Sequence, residues 1–288
     1  MVNVTHWLKY FPKILVLAFA ILGVLSPAEA AKKHSVPMTM AYSFGDVFAH
    51  LEKNEEETLF CINVDTVIQH KYIGSPGWHQ SRLSKLSTRL GDFYNAKRRV
   101  EEEQVIVDTL LSKRCLEPDF AEQFARLLSD YSCSLLGISL SGSESVSSTL
   151  KSLKELGIAL RSQAFSQQDF CLDTHAKCSA SALVQEGILF CGASEISEAM
   201  KLLFTYENKT PKNIIFLTDN PEEAKALGRE CLGWGIAFLA FIYYPAAESL
   251  FFYADPFSTA VGIQEEQALK VISDAAAQLS LDSLNQKS

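Results

Sequence analysis

Five short, nearly continuous apolar runs set the terms for this chain: Leu59–Ile62, Ser134–Ser139, Gly187–Cys191, Asn213–Leu217 and Ile236–Tyr244. Each has the length of a strand and carries apolar residues at successive positions, so both of its faces must be covered. Between them lie stretches with helical spacing. One has Pro118 at its first turn, followed by Phe120, Phe124, Leu127, Leu128 and Tyr131. Another carries Val146, Leu150 and Leu153 and stops near Gly157, and a third carries Ile196, Met200, Leu203 and Phe204. Asn220 and Pro221 form an N-cap and first-turn pair, with Glu222 and Glu223 where the helix dipole favours acids. A final amphipathic helix is expected around Gln267 to Leu279. Strands alternating with helices in this way predict an α/β chain with a parallel central sheet covered on both faces. Ligands of such sheets bind beyond the carboxyl ends of the strands. Three polar segments are expected to meet there: Asn63 to Thr66, Ser139 to Ser143, and Thr218 to Asn220.

The N-terminus carries Lys9 and Lys13, an apolar run from Ile14 to Leu25, and then Ala28-Glu29-Ala30. That order is the pattern of a secretory signal peptide cleaved after Ala30, and it implies signal peptidase as a partner during export. The apolar run is well short of the roughly 20 residues needed to cross a hydrocarbon core, so no stable membrane anchor is expected. Export to the periplasm or the medium is the expected localisation. The formal charge is -8. An acidic surface of this kind disfavours nucleic acid and anionic lipid as partners.

The chain has seven cysteines, an odd number, so at least one thiol has no partner within the chain. Cys61 and Cys191 lie in strand runs, where cysteine packs as a small hydrophobe. Cys171 and Cys178 flank a polar stretch and are the best candidates for a local disulfide. No CxxC or HExxH spacing supports a zinc site. His70 and His79 flank a Gly-rich loop and are read as surface residues, and His175 falls in a polar loop.

The order of the polar strand ends resembles the haloacid dehalogenase-like (HAD) superfamily. Its phosphatases carry Asp-x-Asp-x-Thr after the first strand, Ser or Thr after the second, a Lys, and an acidic pair after the fourth. Asn63, Asp65 and Val67 stand at the first motif, Ser139 at the second, Ile196 at the lysine position with Glu195 beside it, and Thr218-Asp219 at the acidic pair. A group of secreted bacterial members has Gly-Ser-x-x-Trp after the first motif, read here as Gly74-Ser75-Pro76-Gly77-Trp78.

The resemblance implies a three-layer Rossmann-like fold. Its core would cover about 45–66 and 134–288, with a helical cap inserted at about 67–133, and residues 31–288 would form one HAD-like domain after the signal peptide at 1–30. It also implies that Asp65 holds the general-acid position, Asn63 the nucleophile position and Ser139 the phosphate-binding position. Asn63 and Asp219 would be the remnant of a magnesium site. An amide in place of the nucleophilic carboxylate is neutral and feebly nucleophilic. Val67 cannot donate a proton if the register is shifted to make Asp65 the nucleophile. The expected function is therefore a catalytically degenerate pseudo-phosphatase that binds a protein or a small phosphorylated ligand, with no cofactor. The alternative is a residual phosphatase using Asp65, Asp219 and Mg2+. Trp78 is expected to anchor the cap rather than to cover the cleft.

Overall fold

The computed structural model describes residues 35–51, 57–70, 73–172 and 182–246. The signal-peptide region, Cys178, His175 and the helix expected around 267–279 lie outside the described residues.

In chain order the strands are β1 (Met38–Ala41), β2 (Thr58–Asn63), β3 (Ile68–Gln69), β4 (Arg114–Cys115), β5 (Ser134–Ser139), β6 (Phe170–Leu172), β7 (Ala182–Gln185), β8 (Ile188–Phe190), β9 (Asn213–Thr218) and β10 (Ala237–Tyr243). The helices are α1 (Phe48–Leu51), α2 (Val64–Val67), α3 (Pro76–Leu90), α4 (Phe93–Leu110), α5 (Phe120–Asp130), α6 (Val146–Glu155), α7 (Ile196–Tyr206) and α8 (Pro221–Gly233).

Eight strands form one sheet in the order β1-β10-β9-β2-β5-β8-β7-β6. From β1 to β8 every neighbouring pair is parallel. This is the expected parallel central sheet, and at its far edge β7 and β6 add two antiparallel strands. β7 alternates buried and half-buried residues, the pattern of a strand with one face partly wet.

Strand β2 is buried over all of its residues. Phe60 and Ile62 enter one core with Phe44, Phe124, Leu135, Phe190, Leu217 and Tyr243. Leu59 and Cys61 enter the other core with Leu136, Leu189, Met200, Phe216 and Leu227. Two apolar layers on opposite sides of one sheet make the fold a three-layer, Rossmann-like α/β architecture, with α5 and α6 contributing to the first layer and α7 and α8 to the second. Each fully buried side chain of this size contributes about 1.5–3 kcal/mol over the exposed state.

The segment between β2 and β5 carries a core of its own. Helices α3 and α4 form an antiparallel hairpin around Ile73, Trp78, Leu86, Ala96, Val100 and Val107. Its base is closed by the antiparallel pair β3 and β4. Trp78 is buried in that small core. Helix α5, counted with the insertion by its place in the sequence, instead packs Phe120, Phe124 and Leu127 into the first main core.

The chain passes from β2 to β5 on one side, and from β8 through α7 back to β9 on the other side of β2. The carboxyl ends of β9, β2 and β5 therefore frame the crevice where the direction of winding reverses, the general ligand site of open α/β sheets. No described helix is long and apolar enough to cross a membrane.

Helix α8 lies close on β10. A Cβ built on Gly228 would stand 2.3 Å from Val36 Cγ1 and 2.8 Å from Phe238 Cδ1. Gly228→Ala should therefore cost about 1–3 kcal/mol through overpacking, read as a fall in the urea midpoint with an unchanged slope. A variant as stable as the wild type would show that the helix can shift away freely.

Candidate functional site

Asn63 ends β2 and caps the short helix α2. Its Oδ1 accepts from Asp65 N at 3.0 Å, and its Nδ2 donates to Glu223 Oε2 at 3.4 Å. The residue is 3% exposed, so both ends of the amide are engaged inside the protein. Asp65 follows in the first turn of α2, where a carboxylate suits the helix dipole. Its Oδ2 accepts from Ser139 Oγ at 2.9 Å and from Leu140 N at 3.2 Å, which ties the end of β2 to the end of β5. Ser139 Oγ also accepts from Ser141 N at 3.2 Å. On the other flank, Thr66 Oγ1 donates to Asp219 Oδ1 at 2.6 Å and accepts from Asp219 N at 3.3 Å. Thr218 is buried at the end of β9, and its hydroxyl donates to Glu223 Oε2 at 3.2 Å. Asn220 caps α8 by accepting from Glu222 N and Glu223 N.

All three polar segments predicted to meet at the strand ends are linked to one another. Asn63, Asp65 and Ser139 are joined directly. Asp219 joins them through Thr66, and Glu223 through Asn63 and Thr218. Val67 is buried in the first core and Ile196 in the second, so neither presents a polar group.

The cation that acts here comes from a position the sequence did not single out. Lys113, just before β4, draws the Asp65 carboxyl downward by its charge. Burial outweighs it, so Asp65 sits above the ordinary carboxylate range despite Lys113, Ser139 and Leu140, with Asp108 adding to the rise. Glu223 is likewise held up, chiefly by burial and then by Asp219, against hydrogen bonds from Asn220, Thr218 and Asn63. The thiol of Cys191 is pushed up to about 12 by burial, with Asp65 and Glu223 adding to the effect, so it stays protonated and is no nucleophile.

Lys113 is itself held by a buried cluster at the base of the insertion. Its Nζ lies 3.4 Å from Asp108 Oδ2. Asp108 Oδ1 pairs with His70 Nε2 at 2.8 Å and accepts from Gln104 Nε2 at 2.8 Å. His70 is 4% exposed, which corrects the expectation that it lies on the surface, and His79 is half-buried. Burial works against charge on Asp108, but His70, Lys113 and Gln104 together prevail and hold its carboxyl below the usual range. Gly74 packs against this cluster at φ 85°, and a Cβ there would meet His70 Cδ2 and Val107 Cγ1 at 2.6 Å each. Ser75 caps α3 by accepting from Trp78 N, and Pro76 fills its first turn. The Gly74-Ser75-Pro76-Gly77-Trp78 segment is thus a helix start fastened to the insertion's own core.

A magnesium ion of the kind the resemblance implies finds a poor donor set. The Asn63 amide is engaged at both ends, and Asp219 is bound to Thr66. Among the described residues no group of three or more His, Cys, Asp or Glu side chains is placed to hold a metal ion. Cys171 is exposed with a free thiol, and its expected partner Cys178 lies outside the described residues.

A three-layer α/β fold with a polar, self-bonded cluster at the winding reversal defines a Rossmann-like protein. Within that class the chain belongs to the family described as Protein of unknown function (DUF2608), whose model matches residues 41–277. It is similar to a Chlamydia pneumoniae protein named "Putative outer membrane protein", with 26% identity over 238 residues, covering 80% of this chain and 85% of the relative. No solved structure matches it.

Two outcomes follow from the buried charges. Asp108→Ala would strand Lys113 and His70 without their carboxylate and should cost about 3–5 kcal/mol near neutral pH. The depressed carboxyl of Asp108 contributes stability above its unfolded pKa, near 4, and loses it as pH falls through the lower folded value. Denaturant unfolding of the variant should therefore show a weaker acid limb than the wild type. Asp65 is the opposite case: a raised carboxyl favours the fold below its unfolded pKa and loses that contribution as pH rises through the folded value. Asp65→Asn should thus gain stability relative to the wild type as pH rises from 4 toward neutrality. A difference independent of pH would show that Asp65 is not strained as a carboxylate.

Proposed function

We propose that the chain is an exported, HAD-like protein that has exchanged phosphoryl chemistry for binding, a pseudo-phosphatase whose crevice or insertion engages a protein or a small phosphorylated ligand. The observation that carries this reading is the state of Asn63. The residue at the nucleophile position is an amide, and its oxygen and nitrogen are committed to Asp65 N and Glu223 Oε2. A group so committed cannot attack phosphorus, and loss of a nucleophile that works as part of a unit costs on the order of a millionfold in rate. Val67 and Ile196, apolar and buried where the resemblance implies a hydroxyl and an ammonium group, point the same way. Export is supported by the N-terminal pattern of charge, apolar run and small residues, and by the name of the chlamydial relative.

A second reading has one observation in its favour. Asp65 is held above the ordinary carboxylate range, chiefly by burial and against the pull of Lys113, which is the direction a proton donor needs. In that reading Asp65 and Asp219 sustain a residual magnesium-dependent phosphatase.

Hydrolysis of an aryl phosphate separates the two. The wild type and Asp65→Asn are compared with and without magnesium. Equal background rates are the expected result. Magnesium-dependent turnover that disappears in the variant would overturn the binding reading and make Asp65 a catalytic residue.

A further inference from the structure

The outer half of the helical hairpin carries a local excess of positive charge and, at its turn, exposed apolar side chains. Between residues 82 and 99 stand Arg82, Lys85, Arg89, Lys97, Arg98 and Arg99 against the single acid Asp92, in a protein of net charge -8. Asp92 is used internally as the cap of α4, accepting from Tyr94 N at 2.9 Å and Asn95 N at 3.2 Å, and Asn95 Nδ2 donates to it at 2.6 Å. Arg82 is paired with Glu103, and Lys97 and Arg98 make long, exposed pairs with Glu101 and Glu102. Lys85, Arg89 and Arg99 are exposed and make no ion pair among the described residues.

The turn between α3 and α4 sets three large apolar side chains among these cations. Leu90 is 44% exposed, Phe93 54% and Tyr94 83%, and the rings of Phe93 and Tyr94 meet edge to face with centroids 6.0 Å apart. One helical turn inward, Leu86 and Ala96 are already buried in the hairpin core, so the three are not needed to fill it. The tip lies about 20 Å along the hairpin from its base, at 1.5 Å per residue over α3.

We propose that this tip is a docking surface for an anionic membrane: Phe93, Tyr94 and Leu90 enter the headgroup layer while Lys85, Arg89 and Arg99 lie against its negative charge. Tyr94, with one apolar and one polar end, favours that depth, Phe93 and Leu90 add apolar area, and basic side chains on the same hairpin are attracted by an anionic leaflet. The shape favours a lipid surface over an acidic protein. The tip is the tight turn between α3 and α4, a form that enters a deformable layer readily. The tip lies outside the strand-end site and shares none of its residues.

The test is co-sedimentation of the full chain with vesicles of phosphatidylcholine alone and of phosphatidylcholine mixed with phosphatidylglycerol. Any contribution of the N-terminal apolar run is common to all variants, so the readout is the difference between them. Phe93→Ala/Tyr94→Ala should weaken binding to the mixed vesicles at least tenfold, given the area those rings would bury. Lys85→Gln/Arg89→Gln/Arg99→Gln should weaken it roughly a hundredfold, at about fivefold per cation, and circular dichroism should show both variants folded. Three results would overturn the proposal: equal binding by wild type and variants, loss in the charge variant alone, or retention of the wild type by immobilised polyglutamate with no preference for the anionic vesicles. The last would assign the tip to an acidic protein instead.

Discussion

Burial of strand β2 on both faces is the constraint from which the rest of the molecule is built. Phe60 and Ile62 on one side and Leu59 and Cys61 on the other give each apolar layer its centre, and β5 and β9 pair with the strand along its length. A strand held in this way cannot slip by a residue without turning every side chain to the wrong layer. Its end is therefore delivered to a fixed place, with Asn63 as the last residue. The cap that Asn63 makes on α2 then aims Asp65 at Ser139 and Thr66 at Asp219. The polar cluster follows from the packing beneath it.

The cluster spends most of its polar capacity on itself. Its hydroxyls and amides hold its carboxylates and satisfy exposed backbone ends, so the loops above β2, β5 and β9 are joined into one surface. That arrangement fastens the strand ends to one another as one platform. The buried group around Asp108 extends the platform. Lys113 leaves the base of the insertion, pairs with Asp108 and acts on Asp65, so the insertion and the sheet share one set of charges.

The fold was readable wherever burial left a local pattern. Continuous apolar runs marked β2, β5, β8, β9 and β10, and the Asn220-Pro221 pair marked the start of α8. β1 was hidden because it is short and mostly exposed, and β6 and β7 because they lie at an edge where apolar and polar residues interleave. Asn63, Asp65, Ser139 and Asp219 could be picked out because each ends a strand or follows one closely. Glu223 had a local signal, an acid in the first turn of a capped helix, which spoke of the dipole and not of contact with Asn63. Lys113 and His70 had none: His70 meets Asp108 only because the hairpin folds back on itself, and Lys113, although near Asp108 in sequence, lies outside any helical or strand pattern. Trp78, read as an anchor of the insertion, is buried in the insertion's own core.

The interior thiols add a consequence of a different kind. Cys61, Cys191 and Cys231 are fully covered by the sheet and by helices α7 and α8. Burial pushes the last two up to about 12 and holds Cys61 well above its ordinary value, so thiolate, the form that attacks disulfides and oxidants, is scarce as well as inaccessible. The folded chain is thereby indifferent to the redox state of its surroundings at these positions. Wrong cross-links can form there only while the sheet is open, and the vulnerability to mispairing ends when the strands close.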